Sequence, residues 1–457
     1  MERAITRDQW SSRLAFVLAA AGSAIGLGNI WKFPYITGMN GGGLFVLIYL
    51  GAILFVSMPI LAAEVLIGRA GQASPVGAIR RLSRPGSPWI AVGHLGVAGG
   101  LIILSYYSVV AGWCLDYMLM SVTGKIATTP VASIPGLFDE LYQSGSRNLL
   151  WHFLFMAMVI GIVLGGVRYG VERAARVLMP ALFAMLLVLF VYATTLPGFQ
   201  EAARFVFYPS ADKLTSAGVL EALGHSFFSL SVGMGAMLTY GSYLSRNDCL
   251  VKASLSVGFL DTVISLLACL VLFPITFSFG MEPKGGPGLV FMNLPVAFAQ
   301  LPGGAIWSLV FFTLLFVAAL TSAISLLETV TAHAIDEWKW SRKTATLATG
   351  AVIFLLGIPS ALSGGDGLFG KGLAEATGRN FFDWFDYIAS NWILPLGGLG
   401  IATFVAWRLS DELRHEAFTT GSELGKKAGI YRTWLLLVRY LAPIGIVAIF
   451  LHAIGVI

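Results

Sequence analysis

The chain has 457 residues, of which 29 are basic and 24 acidic, a charged fraction of 12% where a soluble globular protein carries about 25%. Hydrophobic residues make up 57% and the mean hydropathy is +0.80, so too little polar surface is left to cover a water-soluble fold. A soluble enzyme, a disordered protein and a disulfide scaffold are excluded; the net charge of +5 fits basic cytoplasmic loops, and no nucleic-acid partner is expected.

A helix that crosses the hydrocarbon core takes about 20 apolar residues. In chain order, such spans are expected at 12–37, 42–68, 89–122, 149–167, 171–195, 218–243, 250–279, 305–335, 345–358, 385–408 and 433–456. The first is too long for a signal peptide and runs into Gly-rich sequence without a cleavage site. The expected fold is therefore an all-α polytopic membrane protein of eleven transmembrane helices, a single domain over 1–457. Eleven crossings put 21 of the 29 basic residues on the side of the N-terminus, among them Arg3, Arg7, Arg69, Arg168 and Arg342. Seven fall on the other side, including Lys125, Lys284 and Arg379, and Lys32 stays inside span 1. The bias predicts a cytoplasmic N-terminus and an external C-terminus. Cys114, Cys249 and Cys269 are odd in number and unclustered, which points to neither a disulfide framework nor a metal site.

Two spans carry breaks. Span 1 contains Gly22, Ser23, Gly26, Gly28 and Asn29 ahead of Pro34, and span 6 contains Ser229, Ser231, Gly233 and Gly235. They run antiparallel, and they match if 12–195 and 218–408 are inverted five-helix repeats, with 433–456 as an additional helix. Gly-interrupted helices at corresponding places in two halves point to a transport site near the membrane midplane. The plainer alternative is close helix packing through Gly22-x-x-x-Gly26.

The run from Trp10 and Arg13 through Gly22, Asn29 and Trp31 to Pro34 resembles the first helix of the neurotransmitter:sodium symporter family, in its bacterial amino-acid transporter branch with the leucine-transporter fold. The likeness continues through Asn40 to Gly43, Glu64 to Arg69, Tyr106 and Tyr107, Phe227 to Tyr243, and Leu320 to Ser322. It implies two sodium sites. The first would use Asn29, the Ala24 carbonyl, Ser229 and Asp261; the second would use carbonyls of Gly22, Ile25 and Ala318 with the hydroxyls of Thr321 and Ser322. Back-bonding to the preceding turn is the competing role for those two hydroxyls. Chloride-dependent relatives have Asn at the position of Asp261, so the acid here implies no chloride requirement. Ser265 stands where some chloride-independent relatives place an acid, and His225 where relatives often have Gln.

Relatives that carry monoamines place an Asp at the position of Gly26, so a substrate here would bring its own carboxylate to the amides of Gly26 and Gly28 and to Tyr107. Its amine would meet carbonyls of Ala24, Phe228 and Ser229 near Ser231 and Ser322. Its side chain would face Ser23, Leu27, Ile103, Phe228, Met234 and Leu326, an apolar lining without a counter-charge. The resemblance further implies an outer gate of Lys32 and Asp386 with Phe228 as an aromatic lid, and an inner gate of Arg7 and Asp336 braced by Trp10, Ser242 and Tyr243. Gly170 and Pro180 would let span 5 unwind, Glu64 would meet the amides of a broken helix, and Glu328 and His333 would line the exit path. The expected function is sodium-coupled import of hydrophobic or aromatic L-amino acids by alternating access across a bacterial inner membrane, with a monomer sufficient and the oligomeric state open. A sensor or receptor on a transporter scaffold is the alternative, although neither terminus leaves room for a signalling domain. No clustered nucleophile, base or metal set suggests an enzyme.

Overall fold

A computed structural model describes residues 7–210, 213–281, 286, 288–421 and 426–456; Arg3 and Lys284, counted above on opposite sides, lie outside them. The described residues are helical, without strands. Among the described residues nine helices are long and apolar enough to cross a bilayer: Gly43–Gly71, Ile90–Val122, Gly145–Leu164, Val167–Ala193, Leu250–Ser278, Gly304–Trp338, Arg342–Ala361, Phe381–Arg408 and Gly429–Ala453. A tenth crossing is the bent pair Arg13–Ala24 and Gly28–Met39, whose halves meet at 52°. The shorter pair Ser216–Ser229 and Ala236–Gly241, taken as span 6, makes eleven.

Several ends differ from expectation for local reasons. Span 4 stops at Leu164 because Gly165 and Gly166 follow, the latter at φ 77, where only glycine sits without strain. Span 5 consequently begins at Val167, four residues early. Span 9 starts at Arg342 because the Ser341 hydroxyl accepts the Thr344 N–H and caps it.

Both breaks are built by the backbone. Ser12 caps span 1 by accepting the Ala15 N–H, and after the twelve residues Arg13–Ala24, Ile25 leaves the helix with ψ 94. In span 6, Ser231, Gly233 and Gly235 take φ of 53, 87 and 72. Two are glycines, for which this region is free; Ser231 is the exception, and its hydroxyl donates to the Ser23 carbonyl at 2.9 Å, tying one break to the other.

The broken spans pack against spans 3 and 8, each 78% buried over its most apolar stretch, whereas spans 5 and 11 are 28% and 22% buried and present apolar side chains outward. One face of span 3 is a row of glycines. A methyl on Gly93 would meet Val76 Cα at 2.7 Å, one on Gly96 the Gly235 Cα at 3.1 Å, and one on Gly100 the Leu326 carbonyl at 3.3 Å. At Gly96 span 3 thus approaches the backbone of the span 6 break so closely that a larger residue would crowd it.

Candidate functional site

A small cavity of about 30 Å³ lies between the two breaks, spans 3 and 8. Ser23, Ala24 and Gly28 from span 1, Ile103 and Tyr107 from span 3, Phe228, Ser231 and Met234 from span 6, and Ser322 and Leu326 from span 8 line it. Gly26 joins them, while Leu27 and Ser229 do not line it. Leu27 contributes its backbone instead, donating its N–H to the Tyr107 hydroxyl at 3.2 Å. The lining carries no charged side chain.

Behind the cavity, Asp261 is fully buried on span 7. Asn29 Nδ2 donates to its Oδ1 at 2.7 Å, to Ser265 Oγ at 2.8 Å and to Ser229 Oγ at 3.0 Å. Ser229 Oγ lies 3.0 and 2.9 Å from the two carboxylate oxygens, and the Tyr49 hydroxyl donates to Ser229 Oγ at 3.0 Å. No Lys, Arg or His forms an ion pair with Asp261 among the described residues. A carboxylate in a membrane interior without a cationic partner is costly unless a mobile cation joins it. Asn29 Oδ1 meanwhile accepts the Gly26 N–H at 3.1 Å. The Gly26 amide, expected to be free for a substrate, is therefore held by the side chain three residues on. A half-turn of that amide would release it and turn an oxygen towards Asp261, completing an all-oxygen set of the kind a hard cation takes.

A second group of oxygens lies where span 8 meets the first break. Ser322 Oγ donates to the Ser23 carbonyl at 3.0 Å and lies 3.4 Å from that of Gly22. Thr321 Oγ1 is 3.0 Å from the Ala318 carbonyl, so its back-bond and its expected ligand role share one neighbour. Gly22 permits this approach, since a methyl there would meet Thr321 Cβ at 3.2 Å. Ile25, at the end of the first half-helix, has its carbonyl turned off the axis by ψ 94.

At the N-terminal end the bundle is closed. Arg7 donates to Asp336 at 2.5 Å and to Ser242 Oγ at 2.7 Å, and its guanidinium lies 4.7 Å from the Tyr243 ring centre. Trp10 donates from its backbone to the Tyr243 carbonyl and from Nε1 to that of Tyr240. Two further contacts were not legible beforehand. Glu328 accepts the Tyr243 hydroxyl at 2.6 Å and pairs with Arg342, joining span 6 to span 9, rather than simply lining a path. Glu172, in the first turn of span 5, takes the Ser11 N–H at 3.0 Å and the Ser11 hydroxyl at 2.5 Å. Gly170 and Pro180 lie in that span, which is helical throughout, with a wide π-type turn over Val167–Glu172. The signal available for Glu328 was a charge deep in an apolar span; Tyr49 had none, because a tyrosine in such a span reads as packing.

At the opposite end, the expected pair of Lys32 and Asp386 is not formed. Lys32 Nζ lies 5.1 Å above the Phe228 ring, and Asp386 is held by Tyr106 and Ser390, each at 3.1 Å. Beside Lys32 a cavity of about 340 Å³, lined also by Glu221, His225, Phe228 and Asn391, opens between spans 1, 6, 10 and 11. His225 stacks 5.7 Å from Phe33, and neither ring nitrogen has a hydrogen-bond partner among the described residues. Glu64 Oε1 accepts the Gly233 N–H at 2.6 Å, an amide freed by the break.

The sodium:neurotransmitter symporter family model matches residues 7–134 and 133–456. The chain belongs to that family. It is similar to the uncharacterised sodium-dependent transporter YhdH of Bacillus subtilis, 38% identical over 98% of both chains. A second uncharacterised sodium-dependent transporter, from Haemophilus influenzae, is 34% identical over 97% of this chain and 98% of its own. Among solved structures, MhsT in complex with L-phenylalanine superposes with a TM-score of 0.88 at 44% identity, over 98% of this chain and all of that one. As a symporter of this family the chain is a sodium-dependent membrane transporter, not an enzyme.

Proposed function

We propose that this symporter imports hydrophobic and aromatic L-amino acids with sodium, without chloride, by alternating access between a gate of Lys32 and Asp386 on the outside and one of Arg7 and Asp336 in the cytoplasm. The observation that carries the reading is Asp261, a buried carboxylate with no cationic partner, bonded to both broken helices through Asn29 and Ser229. It supplies the negative charge that a sodium ion needs, so an added anion is unnecessary. The oxygens of Gly22, Ile25, Ala318, Thr321 and Ser322 form the second sodium site. The uncharged cavity lining supports an apolar side chain, since a buried unpaired charge would be expensive. Phenylalanine in the MhsT structure supports an aromatic one. The excess of basic residues on the N-terminal side supports a cytoplasmic N-terminus, and the antiparallel breaks support inverted repeats over 12–195 and 218–408.

Uptake into proteoliposomes under an imposed sodium gradient, with a panel of twenty amino acids, tests this. Accumulation of the large apolar members is expected, and failure to accumulate any amino acid would leave the sensor reading in its place. Replacing chloride by gluconate is expected to leave the rate within about twofold, whereas collapse of uptake would overturn chloride independence. Gly26→Ala is expected to weaken phenylalanine binding by at least about tenfold, as the added methyl would lie 2.6 Å from Ser322 Oγ and 2.9 Å from the Tyr107 hydroxyl. Equilibrium binding to the purified variant measures it.

A further inference from the structure

The cavity between the breaks is apolar along Ile103, Met234 and Leu326, yet Ser23 also lines it. Ser23 Oγ lies 2.6 Å from Ser325 Oγ on span 8. The two residues are 2% and 1% exposed, so little solvent competes for their hydroxyls. Ser325 Oγ donates to the Ser322 carbonyl at 2.8 Å, which commits its one proton. Ser23 then donates to Ser325, and its own oxygen keeps lone pairs that no described donor fills. The Ser23 backbone is fixed as well, its carbonyl receiving Ser231 Oγ at 2.9 Å and Ser322 Oγ at 3.0 Å. The result is one oriented acceptor in a pocket whose other hydroxyls are those of Tyr107, Ser231 and Ser322.

We propose that Ser23, oriented by Ser325, accepts a hydrogen bond from the far end of an aromatic side chain, so that tryptophan and tyrosine bind in preference to phenylalanine. This rests on the amino-acid reading above and narrows it. A ring that carries an N–H or O–H satisfies the Ser23 oxygen, whereas a bare phenyl ring shuts it away from water with no partner. A site that presents a buried polar group discriminates against the ligand lacking its complement more strongly than an apolar wall discriminates by size. Ser23 touches the ligand; Ser325 is a positioning residue, since its bond to the Ser322 carbonyl decides which way the Ser23 proton points.

The test compares dissociation constants of tryptophan, 1-methyltryptophan, tyrosine, O-methyltyrosine and phenylalanine for the purified full chain in saturating sodium. The quantity read is the ratio between each donor-bearing ligand and its methylated form, which cancels any general loss of fold. The wild-type ratio is expected to be about tenfold in favour of the donor. Ser23→Ala should bring it down severalfold, Ser325→Ala should lower it too by freeing the Ser23 proton, and Ser325→Thr should restore it. A ratio equal in the wild type and both alanine variants would overturn the proposal, as would variants in which all five affinities fall in parallel. If none of the five binds in a sodium-dependent way, the amino-acid reading itself fails; if they bind with an insensitive ratio, only the role of Ser23 and Ser325 does.

Discussion

Asp261→Asn is expected to raise the sodium concentration for half-maximal uptake by about 30-fold or more. The substitution keeps the shape of the side chain and removes its charge from a cluster in which Asn29, Ser229, Ser265 and Tyr49 supply only neutral groups. A sodium ion about 4 Å from a full negative charge gains about 4 kcal/mol at an effective dielectric of 20, part of which the neutral amide oxygen replaces. A net loss of about 2 kcal/mol gives the stated factor. A second measurement separates a lost ligand from a damaged fold. Without sodium, the variant should be at least as resistant to heat as the wild type, because a buried charge without a cationic partner has been removed. With sodium the order should reverse, since stabilisation by a ligand follows its affinity. A variant that keeps the wild-type sodium dependence would show that the carboxylate does not hold the ion.

Arg7→Ala should open the N-terminal end of the bundle. Arg7 is the hub there, joined to Asp336 on span 8, to Ser242 beyond the short half of span 6, and to the Tyr243 ring. Without it Asp336 keeps the Ser74 N–H at 2.5 Å but loses its cation. Charge-assisted bonds of this kind contribute about 1.5–3 kcal/mol each, so the equilibrium between closed and open forms should move by about 30-fold. The rate at which a thiol reagent reaches a cysteine introduced for Thr239, fully buried behind this gate, reports the opening. The native Cys114, Cys249 and Cys269 are themselves buried and give a low background. Labelling should accelerate by about that factor, and sodium-driven accumulation should fall as the gate leaks. Arg7→Lys should recover part of the effect, since a point charge reaches Asp336 without the fork that also reaches Ser242. Unchanged labelling in the alanine variant would show that Glu328, Arg342 and Trp10 hold this end shut without Arg7.

The spans were readable in one dimension because long apolar runs have few destinations other than a bilayer. Their ends moved wherever a single residue outweighed hydropathy, as at Gly166 and Ser341. The breaks were readable for a related reason, since glycines and small polar residues in mid-membrane are costly unless the backbone itself has a task there. What could not be read was pairing between distant helices. Tyr49 meets Asp261 across 212 positions, and Glu328 finds Arg342 on the neighbouring span. Hydropathy registers the presence of a tyrosine or a carboxylate but not its partner. Lys32 and Asp386 illustrate a different limit. Their opposite charges suggest a pair, but here Lys32 lies over the Phe228 ring and Asp386 is bonded to Tyr106 and Ser390, while Arg7 and Asp336 at the other end are paired.

The glycine row on span 3 bears on how a change of state would proceed. Interlocked side chains resist sliding, because each must leave its hole before it can enter the next. Gly93, Gly96 and Gly100 offer no such teeth: what they face is largely backbone, at Val76, Gly235 and the Leu326 carbonyl. Span 3 can therefore act as a bearing, a track along which the segment at Val76, the break of span 6 at Gly235 and span 8 at Leu326 can shear while the cluster around Asp261 keeps its geometry. In that design friction, rather than affinity, is what the glycines set, and a single methyl on the track would slow the cycle before it weakened any site.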